Sequence, residues 1–303
     1  MSIARGTSPA GPFVGCPANP VLSARSTDRP IQNTGHADLV QAPDGSWHLV
    51  LLGMRTKGMT RSFSPLGRET FATSLEWVDE WPVVRSVTLT EGLNAPTFFD
   101  EFSGDALGPE WIAVRRFPHD IGRVAGGRLR LFGEARTMDD EQPTFIGRRQ
   151  RRLDARVSVS VDRGGGGGDS GRDEGDEVRD GVGGLTVRYD EEHHYDLEIN
   201  GDEIVSRACI PTISTEFRAP LPSGTVVLFA EMTPPPPSQY SGMTCDIIQL
   251  GYDSHDGTRT VVGAFDGRSL SAETACSFTG RVIGLYCVPG EMWFGRYCEE
   301  RLA

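Results

Sequence analysis

Long apolar runs are missing from this 303-residue chain: none approaches the roughly 18 residues a membrane-spanning helix needs. No membrane partner is therefore expected. Basic charge is also short. Thirty Lys and Arg stand against 42 Asp and Glu, a formal net charge of −12. That balance argues against a nucleic-acid partner, because such proteins normally present a basic face. The six cysteines (Cys16, Cys209, Cys245, Cys276, Cys287 and Cys298) include no C-x-x-C pair and no zinc-finger spacing. They are too sparse for a disulfide scaffold and read as reduced, mostly buried thiols, with one disulfide among the last four left open. The opening residues, Met1 to Phe13, lack the apolar stretch of a secretory signal. This places the chain in the cytoplasm if Met1 is the true start and leaves the compartment open otherwise.

Helix-period patterning is nearly absent too. Gly (37) and Pro (20) are abundant instead, and short apolar or alternating runs recur between turn residues. Trp47 to Leu52 follows the turn Pro43-Asp44-Gly45-Ser46, where Pro presets φ and Gly accepts φ > 0. Ala155 to Val161 alternates, with Val157, Val159 and Val161 on one face. Leu129–Phe132, Leu185–Tyr189, Tyr195–Ile199, Thr225–Phe229, Ile247–Leu250, Thr260–Ala264 and Val282–Cys287 continue the series. Many short strands at regular spacing predict an all-β sandwich or barrel.

Two stretches interrupt the strands. Residues 163–181 are Gly-rich and then charged, with Val178 their single aliphatic before Gly181. They bury too little to offset ordering entropy and read as a disordered loop between strands. Pro234 to Pro237 reads as a stiff surface connection. Glu91 to Pro96 reads as a linker, dividing the chain into residues 1–92, with one to two strand-rich units, and 93–303, the size of one large sandwich. Trp77 and Trp81 before the linker, and Phe98 and Phe99 after it, are expected to pack the two parts together.

Taken alone, His36 is a turn residue after Gly35, Arg68–Glu69 a surface ion pair of little worth, and Phe278 ordinary sandwich core. The strings around them change the reading. Asn19-Pro20-Val21-Leu22, Gln32 to Val40 with its Gly35-His36-Ala37 centre, Pro43 to Trp47, Leu66-Gly67-Arg68-Glu69-Thr70 and Glu76-Trp77 closely resemble glycoside hydrolase family 43. The resemblance is to its two-domain β-xylosidase and α-L-arabinofuranosidase branch. Phe99 to Gly104, Pro109-Glu110-Trp111, Phe145 to Gln150, Tyr189 to Leu197, Phe278-Thr279-Gly280 and Ile283 to Tyr286 resemble that branch's C-terminal concanavalin-like sandwich.

The resemblance implies the last one to two blades of a five-bladed β-propeller followed by an antiparallel β-sandwich. It implies a substrate of the xylo- or arabino-oligosaccharide class. It also implies three substrate-binding residues: Arg68 donating to sugar hydroxyls, His36 near the propeller axis, and Phe278 on a sandwich loop that closes over the pocket. Arg68 and Phe278 should face each other, both partly exposed. The family's three catalytic acids lie upstream of a segment resembling Ser2 to Phe13, and no position here matches them. The chain thus reads as an N-terminally truncated glycosidase, inactive alone; the alternative is a non-catalytic carbohydrate-binding or interaction module. Asp38, Asp44 and Glu69 have no spaced carboxylate partner, and Arg68 is expected to keep Glu69 ionised. Glu291 to Tyr297 lacks the carboxylates that hold a structural calcium in relatives. Asp190, Glu191, Glu192, His193, His194 and Asp196 alternate across a strand edge and cannot all converge. No metal site and no cofactor are expected, and the oligomeric state is left open.

Overall fold

The computed structural model describes residues 1–59, 63–89, 97–161 and 181–302. The linker at Glu91–Pro96 and the insertion at 163–181, Gly181 excepted, lie outside these residues. The chain is all-β. The first part opens with a two-stranded ribbon of β1 (Ala4–Gly6) and β2 (Phe13–Gly15). A four-stranded antiparallel meander follows: β3 (Ile31–Gln41), β4 (Trp47–Arg55), β5 (Glu69–Val78) and β6 (Trp81–Val84). Four antiparallel strands in chain order are the plan of a propeller blade. The meander buries Leu49 and Leu51 of β4 beside Ile31, Leu75 and Val87 in a small core of its own. Its outer strands remain open, with Val40 on β3 and Val83 on β6 both exposed.

Among the described residues the second part supplies fifteen strands: β7 (Phe98–Asp100), β8 (Ile112–Ala113), β9 (Gly122–Ala125), β10 (Arg128–Gly133), β11 (Phe145–Arg149), β12 (Ala155–Val161), β13 (Gly183–Arg188), β14 (His194–Asn200), β15 (Glu203–Ile210), β16 (Ile213–Pro220), β17 (Val226–Thr233), β18 (Ile247–Asp253), β19 (Arg259–Asp266), β20 (Val282–Cys287) and β21 (Gly290–Arg301). One sheet runs β19-β18-β17-β12-β21-β10-β9, with β7 paired to β21; the other runs β16-β15-β14-β13-β20-β11-β8. All pairings are antiparallel. The alternation read over Ala155–Val161 is realised in β12, whose Val157, Val159 and Val161 enter the core while Ser158 and Ser160 stay half-buried. Leu185 and Val187 of β13 and Tyr195 and Leu197 of β14 meet them from the opposite sheet. This is the sandwich expected from the strand series.

The two parts join through polar contacts and one core methionine, not through the four aromatics expected to do so. Trp77 packs edge-on to Trp47 within the meander, and Trp81 lies under the Arg5 guanidinium. Phe98 packs on Trp111 and Tyr297, and Phe99 is exposed. The joint is instead made by residues 54–57 and 64–68. Lys57 Nζ reaches Asp154 at 2.6 Å, and Arg55 Nη2 donates to the Arg151 carbonyl at 2.9 Å. Both Ser64 N–H and Ser64 Oγ donate to the Glu273 carboxylate at 2.7 Å. Met54, from the end of β4, belongs to the sandwich core cluster. All six cysteines are free thiols, which closes the disulfide left open by the sequence.

Candidate functional site

Strand β3 carries the first element of the site. Its pairing with β4 slips twice, between Gln32 and Gly35 and again between Gly35 and Asp38. At these bulges Asn33 and His36 both take the left-handed conformation, each with φ of +51. Bulges re-aim side chains, and a non-glycine residue in this region is held there by its surroundings. Here they bring Asn33, Gly35 and His36 to a cleft of about 260 Å³ shared with Leu52, Met54 and Arg68. Asn33 Nδ2 lies 3.4 Å from the Met54 sulfur, which fixes the cleft floor.

The second element is the Leu66-Gly67-Arg68 turn, which seats against Phe278-Thr279-Gly280. Gly67 has φ of +64, and a Cβ there would fall 2.3 Å from the Thr279 carbonyl. A Cβ on Gly280 would fall 2.2 Å from the Leu66 carbonyl oxygen. Only two glycines allow the backbones this approach. It is sealed by the Arg68 N–H donating to the Phe278 carbonyl at 2.9 Å. The Arg68 guanidinium then lies 4.0 Å from the centre of the Phe278 ring. Phe278 is 64% exposed, so it is not the sandwich core residue its apolar character alone suggests. Among the described residues no acceptor takes a hydrogen bond from the Arg68 guanidinium, and the side chain lines the cleft.

The loop bearing Phe278 is held from beneath by Arg281. This side chain is fully buried and pairs with the equally buried Asp246 at 2.6 Å. It also donates to the carbonyls of Leu270 and Gly267 at 2.8 and 2.7 Å, while its backbone N–H donates to Pro65 at 2.9 Å. One arginine thus ties the 278–281 loop to the turn that bears Arg68. A larger open groove of about 690 Å³ lies over Trp47 and Trp77, at the end of β4 opposite Met54, and shares no residue with this cleft.

Arg68, Phe278 and His36 are thus brought to one neighbourhood, Arg68 and Phe278 in direct contact and His36 beside Arg68. Glu69 differs from expectation. Its carboxylate accepts a bidentate pair from Arg55 at 2.8 and 2.7 Å, not from Arg68: Glu69 opens β5 opposite Gly53, and Arg55 lies two residues along β4 on the same face. None of the six residues lining the cleft is a carboxylate. Asp38 is exposed on β3, and Asp44 binds the Ser46 N–H in the turn before β4.

The acidic run at Asp190–Asp196 divides as its alternation requires. Asp190 and His193 close a turn, with His193 Nδ1 at 2.7 Å from Asp190. His194 and Asp196 enter β14 on the opposite face and pair at 2.9 Å. Asp139 and Cys209, which the sequence gives no reason to connect, complete a cluster around His194.

A protein-family model for glycosyl hydrolases family 43 matches residues 1–82, and one for the β-xylosidase C-terminal concanavalin A-like domain matches residues 99–292. A non-reducing end alpha-L-arabinofuranosidase from Bacteroides ovatus is 32% identical over 94% of this chain and 53% of its own length. A beta-xylosidase from Bacillus subtilis is 26% identical over 99% of this chain and 60% of its own. Among solved structures, a Bacteroides ovatus protein described as xyloglucan PUL GH43B superposes with a TM-score of 0.78 at 29% identity, over 99% of this chain and 60% of that one. A GH43 protein from Bacillus licheniformis gives the same TM-score at 22% identity and the same coverage. The chain spans between half and two thirds of the length of these relatives.

Proposed function

The chain belongs to glycoside hydrolase family 43, and from that membership we propose that its cleft is one wall of a pocket for a xylose- or arabinose-type sugar at the end of an oligosaccharide. The observation that carries this is the Arg68 guanidinium stacked at 4.0 Å on an exposed Phe278 ring, with its donors unengaged among the described residues. Phe278 offers an apolar face to a sugar ring, and Arg68 a planar set of donors to adjacent hydroxyls. His36, exposed at its bulge, supplies a third polar group to the lining of the cleft.

Residues 1–92 act as the propeller side of this pocket and 93–303 as the sandwich side. Inversion at a glycosidic carbon uses a protonated carboxyl and an ionised one, roughly 6.5–9.5 Å apart with water between. No carboxylate lines this cleft, and Arg55 holds Glu69. The chain by itself therefore binds sugar without turning it over. The test uses nitrophenyl β-xyloside and α-L-arabinofuranoside for hydrolysis, and xylo- and arabino-oligosaccharide titrations followed by NMR for binding. Weak binding lost in Arg68→Ala/Phe278→Ala, with hydrolysis at background, is the expected result. Hydrolysis abolished by Asp38→Asn or Glu69→Gln overturns it. Undiminished sugar binding by the double variant would favour a self-sufficient binding module elsewhere on the sandwich.

A further inference from the structure

On the sheet face turned away from the sandwich core, four side chains meet that neither the cleft nor the glycosidase reading uses. His194 of β14 and Cys209 of β15 are directly opposed in the antiparallel register, so both point to the same face. Asp139, from the loop between β10 and β11, reaches over them. One ligand atom from each of Asp139, His194 and Cys209 lies within 4.8 Å of the other two. The remaining ring nitrogen is already committed: His194 Nδ1 lies 2.9 Å from Asp196, and Thr186 Oγ1 donates to the other oxygen of Asp196 at 2.7 Å. Arg207, 3.8 Å from Asp196, lies closer to Glu198 and Glu216, at 3.1 and 3.2 Å.

We propose that Asp139, His194 and Cys209 form a zinc-binding site, with Asp196 as the carboxylate that orients the ligating imidazole. Three features carry it. The donors are one oxygen, one nitrogen and one sulfur, the mixed set that suits zinc and that calcium and magnesium avoid. Asp196 holds Nδ1–H, so Nε2 is aimed at Asp139, 2.9 Å away, as in carboxylate–histidine–zinc arrangements. His194 is fully buried while the Asp139 side chain is about half exposed, so the ion has a rigid floor and an entry path. Zinc displaces the Nε2 and Sγ protons to solvent, and water completes the tetrahedron. The ion would pin residues 134–144 to the sheet. This proposal does not depend on the sugar-binding reading.

The test uses the full chain. After equilibration with buffered zinc and gel filtration, about one zinc per chain is expected by elemental analysis. Cobalt(II) should give the intense visible bands of a tetrahedral site and a thiolate charge-transfer band. Zinc should protect Cys209, but not exposed Cys276, from alkylation read by mass spectrometry. Cys209→Ser should remove the charge-transfer band, and Asp139→Asn should weaken binding. Asp196→Asn should lose about 10–100-fold in affinity. His194 and Asp196 are buried and their variants risk misfolding, so the surface variants at Asp139 and Cys209, checked by circular dichroism, decide. Substoichiometric zinc in the wild type, an unprotected Cys209, or wild-type affinity in Cys209→Ser overturns the proposal.

Discussion

Asp246 and Arg281 show how much one buried pair can hold. Burial by itself would raise the Asp246 carboxyl, but the Arg281 guanidinium outweighs burial and keeps it below its ordinary value of 3.8. A carboxyl depressed on folding adds stability that is complete above the unfolded value, about pH 4, and lost as pH falls through the lower folded value. Wild-type urea midpoints should therefore drop below pH 4, and part of that drop should vanish in Asp246→Asn. Arg281→Met leaves a buried carboxylate unpaired and should cost about 3–5 kcal/mol at pH 7. The double variant Arg281→Met/Asp246→Leu should recover much of that loss. Lys57→Ala, removing a pair whose Asp154 end is about half exposed, should cost about 1 kcal/mol by the same measurement. Neither Asp246 nor Arg281 stands out in the sequence. Their meaning lies in a contact across 35 residues that no local pattern encodes.

At the scale of elements, the readable strands carried a regular apolar pattern, with alternate residues buried in β12 and nearly every residue buried in β20. β12 matches the run Ala155–Val161 and β20 matches Val282–Cys287 residue for residue. In β12, Val159→Ala should cost about 2 kcal/mol for its lost methyls and cavity, whereas Ser158→Ala should stay within about 0.5 kcal/mol, both from denaturant midpoints. β15 and β16 gave no such signal. β16 is exposed along nearly its whole length, so charges and aromatics alternate without a buried face. β3 was hidden differently: two bulges break its period at Asn33 and His36, the segment that lines the cleft. The site residues were legible only through family motifs, because Arg68 and Phe278 are 210 positions apart and meet by backbone shape. Gly67→Ala should drive a methyl into the Thr279 carbonyl and force a side chain into φ of +64. The expected outcome is faster proteolytic cleavage near Phe278 and a lower melting temperature, while Gly45→Ala, in the open turn before β4, serves as the comparison for φ strain alone.

Across the whole molecule, the meander and the sandwich share Met54 in one core, Ser64 with Glu273, and the Arg281 tie to Pro65. Calorimetry should accordingly show a single unfolding transition, and two separated peaks would contradict this degree of coupling. The Gly67–Gly280 contact also bears on how such proteins can be recombined. Two segments more than 200 residues apart fit each other at backbone contact distance, so neither can be exchanged without the other. A chimera that joins this sandwich to a relative's propeller at the linker should yield little soluble protein unless the 64–68 turn and the 278–281 loop come from the same parent. The unit to exchange intact is the seam, and it straddles the boundary along which the sequence divides.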